Sequence, residues 1–364
     1  MRHPIPTTPA EITPGWLTQI LHGAKTLTKS RVTSANVLRI GEDEAFTWGG
    51  LYRVTLAYDP PVPTAPNSLV AKLSPTDPKT RAIMQHANAR EVDFYKSLAQ
   101  GNDLPVPHCQ HADFDPETGT SLVLLQDMGS FRSVSFIAGC GPADAVRVVK
   151  ALAQIHAKWW NHARLSGMNG SALLSEFPLR QLWQNYTTAA QDMLPDVELP
   201  TDFLALGSHI AKNDTSIFTA LMDVAPLTCL HRDLQIDNVL FDTAPGNDAA
   251  VLLDWQFAGK GRGAYDLGYF LISSIDPAQR RNSERGLVAL YHAELLQHGI
   301  AGYSLRQCWT DYLQSVAGKL LMTVAATVLL DNSSDHKKAW RKADLTRLLA
   351  FCSDHTITAQ TFSM

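Results

Sequence analysis

The chain has 364 residues, of which 45% are apolar, 18% charged and 8% aromatic, with a formal net charge of −4. That length and composition exclude disorder, a collagen-like repeat and a coiled coil, and they predict two compact parts rather than one core. Without a basic block there is no electrostatic case for a nucleic-acid partner.

Five cysteines, Cys109, Cys140, Cys229, Cys308 and Cys352, are scattered and form no C-x-x-C pair, so neither a disulfide framework nor a zinc grouping is expected. The N-terminal MRHPIPTTPAEITPGW carries prolines where a signal peptide needs an apolar stretch. The longest apolar run, Leu320 to Leu330, reads as a buried helix that falls short of a bilayer's thickness. These readings predict a cytoplasmic protein without membrane insertion. They are silent on oligomeric state.

In chain order, residues 13–23 predict a short helix, with Thr13 as N-cap, Pro14 in the first turn and Gly23 as the stop. Strands follow at 37–40, 51–56 and 69–73, then a helix at about 80–99 and two more strands, the second being Ser121–Leu125. A boundary is placed after Met128, giving a β-rich lobe at 1–128 and a mostly helical lobe at 129–364. The helix opened by Gly141-Pro142 should run to about 164, with Val146, Val149, Ala153, His156 and Trp160 on its packing face. One hairpin is expected in the second lobe, from Asn238–Phe241 and Ala250–Leu253 around a turn-rich linker.

The chemistry concentrates in Leu230-His231-Arg232-Asp233-Leu234-Gln235-Ile236-Asp237-Asn238, followed by Leu253-Asp254-Trp255-Gln256. The hairpin predicts that Asn238 and Asp254 are neighbours, an amide and a carboxylate oxygen suited to Mg²⁺. Asp233 beside them is placed to take a proton from a hydroxyl. Metal ligands at the phosphates plus one base for the acceptor are what phosphoryl transfer from a nucleotide requires.

His231-Arg232-Asp233…Asn238 is similar to the H-R-D-x-x-x-x-N catalytic loop of protein kinases. In the upstream lobe, Lys72 sits among apolar neighbours on the 69–73 strand, where an unpaired ammonium is costly. Glu91 on the following helix is the expected partner, with Asp93 as the competing choice.

More broadly, the chain resembles the small-molecule branch of the protein-kinase-like fold: aminoglycoside phosphotransferases, choline kinases and, above all, the ecdysteroid-kinase-like (CHK-type) family. The resemblance rests on Leu152–Trp160, on the His231–Phe241 loop and on Leu252-Leu253-Asp254-Trp255-Gln256…Gly263-Ala264-Tyr265-Asp266-Leu267-Gly268-Tyr269. It implies an α+β, two-lobed protein-kinase-like fold with a small β-rich N-lobe and a larger helical C-lobe. It also implies ATP, or GTP, as phosphoryl donor, Asp233 as base, and Asn238 and Asp254 on Mg²⁺. By the same resemblance Lys72 and Glu91 are the ion pair at the phosphates, and Leu125, Gln126, Asp127 and Met128 form the hinge that receives the purine. Asp266 supports the catalytic loop from behind, and His231 orients it.

Two departures narrow the reading. The segment Gly41–Gly50 is acidic and lacks the G-x-G-x-x-G spacing of a phosphate-covering loop, which keeps a catalytically inactive, nucleotide-binding pseudokinase as an alternative. The interval from Asp254 to Asp266 is short and no A-P-E follows, so a peptide-docking activation segment, and with it protein-kinase activity, is not expected. A metallohydrolase using His231, Asp233 and Asp254 would give Lys72 and Glu91 no role. For the acceptor, Trp159, Trp160, Trp183, Tyr186 and Trp309 lean towards a neutral or lipophilic alcohol, against the cationic acceptors of aminoglycoside and choline kinases.

Overall fold

The computed structural model describes residues 4–41, 49–330 and 333–362. Most of the acidic 41–50 segment, residues 42–48, lies outside the described residues, as do Asp331 and Asn332. The described chain divides into two compact units, the first reaching Ser130 and also including Leu253–Phe257, the second formed by Phe131–Leu252 and Ala258 onward.

The first unit opens with helix α1 (Pro14–Gly23), whose N-cap Thr13 accepts the Trp16 N–H at 3.2 Å. Strands β1 (Arg31–Arg39), β2 (Gly50–Asp59) and β3 (Ser68–Leu73) follow, then helix α2 (Pro78–Asp93), a π-helical turn at Phe94–Ala99, and strands β4 (Cys109–Phe114) and β5 (Ser121–Gln126). The five strands form one antiparallel sheet in the order β1-β2-β3-β5-β4. Leu17, Leu21, Val54, Leu69, Ala71, Leu122 and Leu124 bury one face of it. On β3 the two-residue period sends Leu69, Ala71 and Leu73 into that core and turns Lys72 to the opposite face. β1 begins six residues ahead of the expected strand, because its early residues pair with the far end of β2, Arg31 opposite Asp59.

In the second unit α3 (Pro142–Lys158) leads into short α4 (Leu173–Glu176), α5 (Leu179–Met193), α6 (Thr201–Lys212) and α7 (Asp214–Met222). Two small sheets come next: β6 (Thr228–Leu230) with β9 (Gly259–Gly261), and the hairpin β7 (Val239–Phe241) with β8 (Ala250–Leu252). The unit closes with α8 (Ala264–Ser274), α9 (Pro277–Gln297), α10 (Leu305–Gln314), α11 (Val316–Leu329) and α12 (Asp335–Asp354).

Every residue of α8 is buried, which makes it the axis of this unit. The stretch Leu305–Leu329 is long and apolar enough to cross a membrane by length and composition, and 67% of its apolar window is buried inside the protein. The α3 helix ends at Lys158, earlier than its sequence pattern suggests. Its buried face runs through Ala145, Val148, Val149, Leu152, Ile155 and His156, leaving Val146 at its margin and Trp160 beyond the helix. All five cysteines are free thiols.

Candidate active site

Two groups of the residues singled out from sequence are brought together, one in each unit. In the first, Lys72 Nζ donates to both Glu91 oxygens, at 3.0 and 2.9 Å, and to Asp254 Oδ1 at 2.8 Å. Glu91 is on α2 and only 3% exposed. Asp93, the competing choice, points elsewhere and accepts the Ser97 hydroxyl at 2.7 Å.

Asp254 arrives on a segment fastened to α2. The Trp255 ring stacks on Phe94 at 3.8 Å with the planes 4° apart, and Arg90 Nε donates to the Gln256 carbonyl at 2.9 Å. The Gln256 amide reaches Asn88 Oδ1 at 3.3 Å. Asp254 itself adopts a left-handed backbone, φ 61°, a conformation that L-residues hold only when their surroundings enforce it.

Burial works against charge on Lys72, but Asp254 and Glu91 more than offset it and hold the ammonium above its ordinary range. For Glu91, burial dominates and moves the carboxyl up, with Lys72 opposing. The lysine is therefore held in its cationic form by its two carboxylate partners, against the effect of burial.

The expected purine hinge lies at the end of β5. Leu125 and Gln126 are committed to the sheet: Leu125 lies opposite Val70 and Cys109, and the Gln126 N–H donates to the His108 carbonyl at 2.8 Å. The Asp127 side chain has work of its own. It accepts Arg53 Nε and the Ser68 hydroxyl, each at 2.7 Å, and the Gly129 N–H at 2.9 Å. Burial opposes ionisation of Asp127, and these donors overcome it and hold the carboxyl below its ordinary value. Asp127 thus ties β2, β3 and the turn after β5 together, a role the sequence reading did not assign.

The second group surrounds the loop between β6 and β7. Asp266 on α8 accepts the backbone N–H groups of His231, at 2.6 Å, and of Arg232, at 2.8 Å, and is fully buried. Its Oδ2 also meets His156 Nε2 at 3.3 Å, while His156 Nδ1 pairs with the Tyr291 hydroxyl at 2.6 Å. Both ring nitrogens of His156 are engaged inside the core.

Arg232 takes a left-handed φ of 67° and buries its guanidinium against the carbonyls of Asn169, Gly170 and Lys260. Gly259 stands where any Cβ would collide with that guanidinium. The Asp233 N–H donates to His231 Nδ1 at 3.3 Å, and Asn238 Nδ2 donates to the Asp233 carbonyl at 2.9 Å. Tyr269 Oη donates to Asp233 Oδ1 at 2.7 Å, a contact sequence reasoning missed, although Tyr269 lies three residues after Asp266 on the same helix.

Asn238 donates its amide N–H to the Asp233 carbonyl, so the group it can offer a cation is its side-chain carbonyl oxygen, a hard-oxygen donor of the kind Mg²⁺ takes. Of the aromatic residues that leaned towards a lipophilic acceptor, Trp159 and Tyr186 are core residues, 3% and 1% exposed, and carry no information about an acceptor. Trp183 stacks on Tyr186 at 5.1 Å.

A β-sheet unit bearing a Lys–Glu pair, and a helical unit bearing an H-R-D…N loop backed by a buried aspartate, define the protein-kinase-like fold. Among solved structures, a choline kinase from Cryptosporidium parvum Iowa II superposes with a TM-score of 0.54 at 11% identity, covering 95% of this chain and 93% of that one. A Ralstonia eutropha JMP134 structure assigned as an aminoglycoside phosphotransferase gives 0.50 at 14% identity, over 93% and 97% of the two chains.

Residues 47–300 match the ecdysteroid kinase-like family, and the chain belongs to that family. An uncharacterised kinase-like protein of Caenorhabditis elegans is 22% identical over 228 residues, 59% of this chain and 58% of that protein. The chain therefore spans somewhat over half the length of this curated relative.

Proposed function

We propose that the protein is an ATP-dependent phosphotransferase acting on a hydroxyl group of a small molecule, with GTP as the other candidate donor. The observation that carries this reading is the ammonium of Lys72, kept cationic by Glu91 and Asp254 on the sheet face turned away from the first unit's core. In this reading Lys72 grips phosphate oxygens of the nucleotide, and the backbone beyond β5, at Asp127 and Met128, receives the purine.

Asp233 orients the acceptor hydroxyl and takes its proton as the oxygen attacks the γ-phosphorus. The bond from that phosphorus to the β,γ-bridging oxygen breaks, ADP leaves with the bridging electron pair, and the proton passes from Asp233 to solvent. Asn238 and Asp254 would hold Mg²⁺, whose charge offsets that of the phosphates. When phosphate oxygens replace Asp254 on Lys72, that carboxylate is released for the cation.

Support for a small-molecule acceptor comes from the family and from the short interval between Asp254 and Asp266, which leaves no room for a peptide-docking segment. The test is transfer of labelled γ-phosphate from ATP to a panel of alcohols spanning neutral, lipophilic and cationic acceptors. The reading expects a phosphorylated product from the wild type and none from Asp233→Ala, with nucleotide still bound by the variant. Full turnover by Asp233→Ala would refute the assignment of the base, and nucleotide binding with no product from any acceptor would favour a pseudokinase.

A further inference from the structure

The phosphotransferase reading leaves several buried polar groups of the second unit unused, and they converge on Asp233. Tyr269 is 2% exposed, and its hydroxyl donates to Asp233 Oδ1 at 2.7 Å. Above its ring, 4.8 Å from the centroid, lies Lys319 Nζ, itself 1% exposed. That ammonium pairs with Asp344 Oδ1 at 2.5 Å, and Asp344 Oδ2 accepts the Thr323 hydroxyl at 2.8 Å.

A buried ion pair contributes little net stability compared with apolar packing of similar volume, so its placement over this ring calls for another account. The cation over the ring face, together with the wholly buried α8 backbone, fixes where the hydroxyl points. Burial, and next the charge of Asp233, lift the Tyr269 hydroxyl well above its ordinary pKa, so it remains a donor throughout the working pH range.

We infer that Tyr269 is a positioning residue for the proposed base, held in place by the Lys319–Asp344 pair, and that its bond to Oδ1 sets the orientation in which the Asp233 carboxylate meets the acceptor. The main chain of Asp233 is held by His231 and Asn238, and Tyr269 adds a fixed donor to its side chain. This inference rests on the assignment of Asp233 as base.

The experiment uses Tyr269→Phe, which keeps the ring beneath Lys319 and deletes only the donor. With MgATP as substrate and water as acceptor, kcat should fall about 10- to 100-fold, the cost typical of a misplaced catalytic group, while KM for MgATP stays within about twofold. Thermal unfolding of the variant checks that it is folded. The double variant with Asp233→Asn should be no slower than Asp233→Asn alone, since Tyr269 acts through Asp233.

A wild-type kcat in Tyr269→Phe, or a further loss in the double variant, overturns the inference. If the wild type neither hydrolyses ATP nor phosphorylates any acceptor, the functional reading fails on its own. Crystal structures then still decide the geometry. A single Asp233 rotamer on Tyr269 in the wild type and several in Tyr269→Phe uphold the clamp, and an Asp233 turned away from Tyr269 in the wild type refutes it.

Discussion

Lys72 is bound by two carboxylates that sit far apart in the sequence, and the contact to Asp254 Oδ1, 2.8 Å, is the shortest of its three. Glu91 is the more deeply buried partner, and removing it leaves a partly buried ammonium with one counter-charge. Glu91→Ala should therefore lower stability by about 2–3 kcal/mol, less than full loss of a buried pair because Asp254 remains. Urea titration of wild type and variant measures this; a change below about 0.5 kcal/mol would show that the pair is energetically idle.

Asp266 presents a different kind of dependence. Its two oxygens accept the N–H groups of His231 and Arg232, and all three residues are fully buried. Asp266→Ala strands both donors, each costing about 1–3 kcal/mol, so it should destabilise far more than Asp233→Ala, whose side chain is half-buried. Thermal unfolding of the two variants side by side checks the order, and equal melting temperatures would contradict it.

At the end of β5, the Asp127 side chain shapes the segment proposed to receive the purine. Asp127→Ala removes acceptors for Arg53, Ser68 and the Gly129 N–H. The expected result is a roughly tenfold weaker Kd for ATP, about 1.4 kcal/mol, with faster amide exchange around residues 127–129. An unchanged Kd would mean that the backbone there holds its shape without the clamp.

Acid stability should depend on Glu284. Burial raises its pKa, but His355, Tyr312 and Arg280 together outweigh that and depress it from 4.5 to about 2. Contacts to Arg280 Nη1 at 2.5 Å, the Tyr312 hydroxyl at 2.8 Å and His355 Nε2 at 3.1 Å supply the donors. A folded-state value below the unfolded one adds stability that is present above about pH 4.5 and is lost as the pH falls towards 2. Glu284→Gln should remove on the order of 2–3 kcal/mol at neutral pH and flatten the pH dependence of unfolding in that window. A variant with the wild-type acid profile would contradict this.

Contiguous motifs were the legible part of the sequence. His231-Arg232-Asp233…Asn238 could be read because its chemistry is packed into one loop, and Lys72 because a cation on an apolar strand demands a counter-charge within reach. What could not be read depends on register between distant elements. The Arg53–Asp127 tie joins β2 to the turn after β5, which the sequence keeps far apart, and the Tyr269–Asp233 contact needs the rotation of α8 against the loop. β6 and β9 are three residues each, and β9 is Gly-Lys-Gly, which carries the signature of a turn rather than a strand. The end of α3 was missed because apolar spacing continues through Trp159 and Trp160 after the helical backbone has stopped.

The most direct test of the account is thermal unfolding of wild type and Asp254→Ala with MgATP, with ATP plus chelator, and with MgGTP. A ligand at about a hundred times its Kd adds roughly 2.7 kcal/mol, which is readily seen as a raised melting temperature. A magnesium-dependent rise is expected in the wild type, and Asp254→Ala should lose it. No rise with either nucleotide, or an equal rise in Asp254→Ala, would contradict the placement of nucleotide and metal at Lys72 and Asp254.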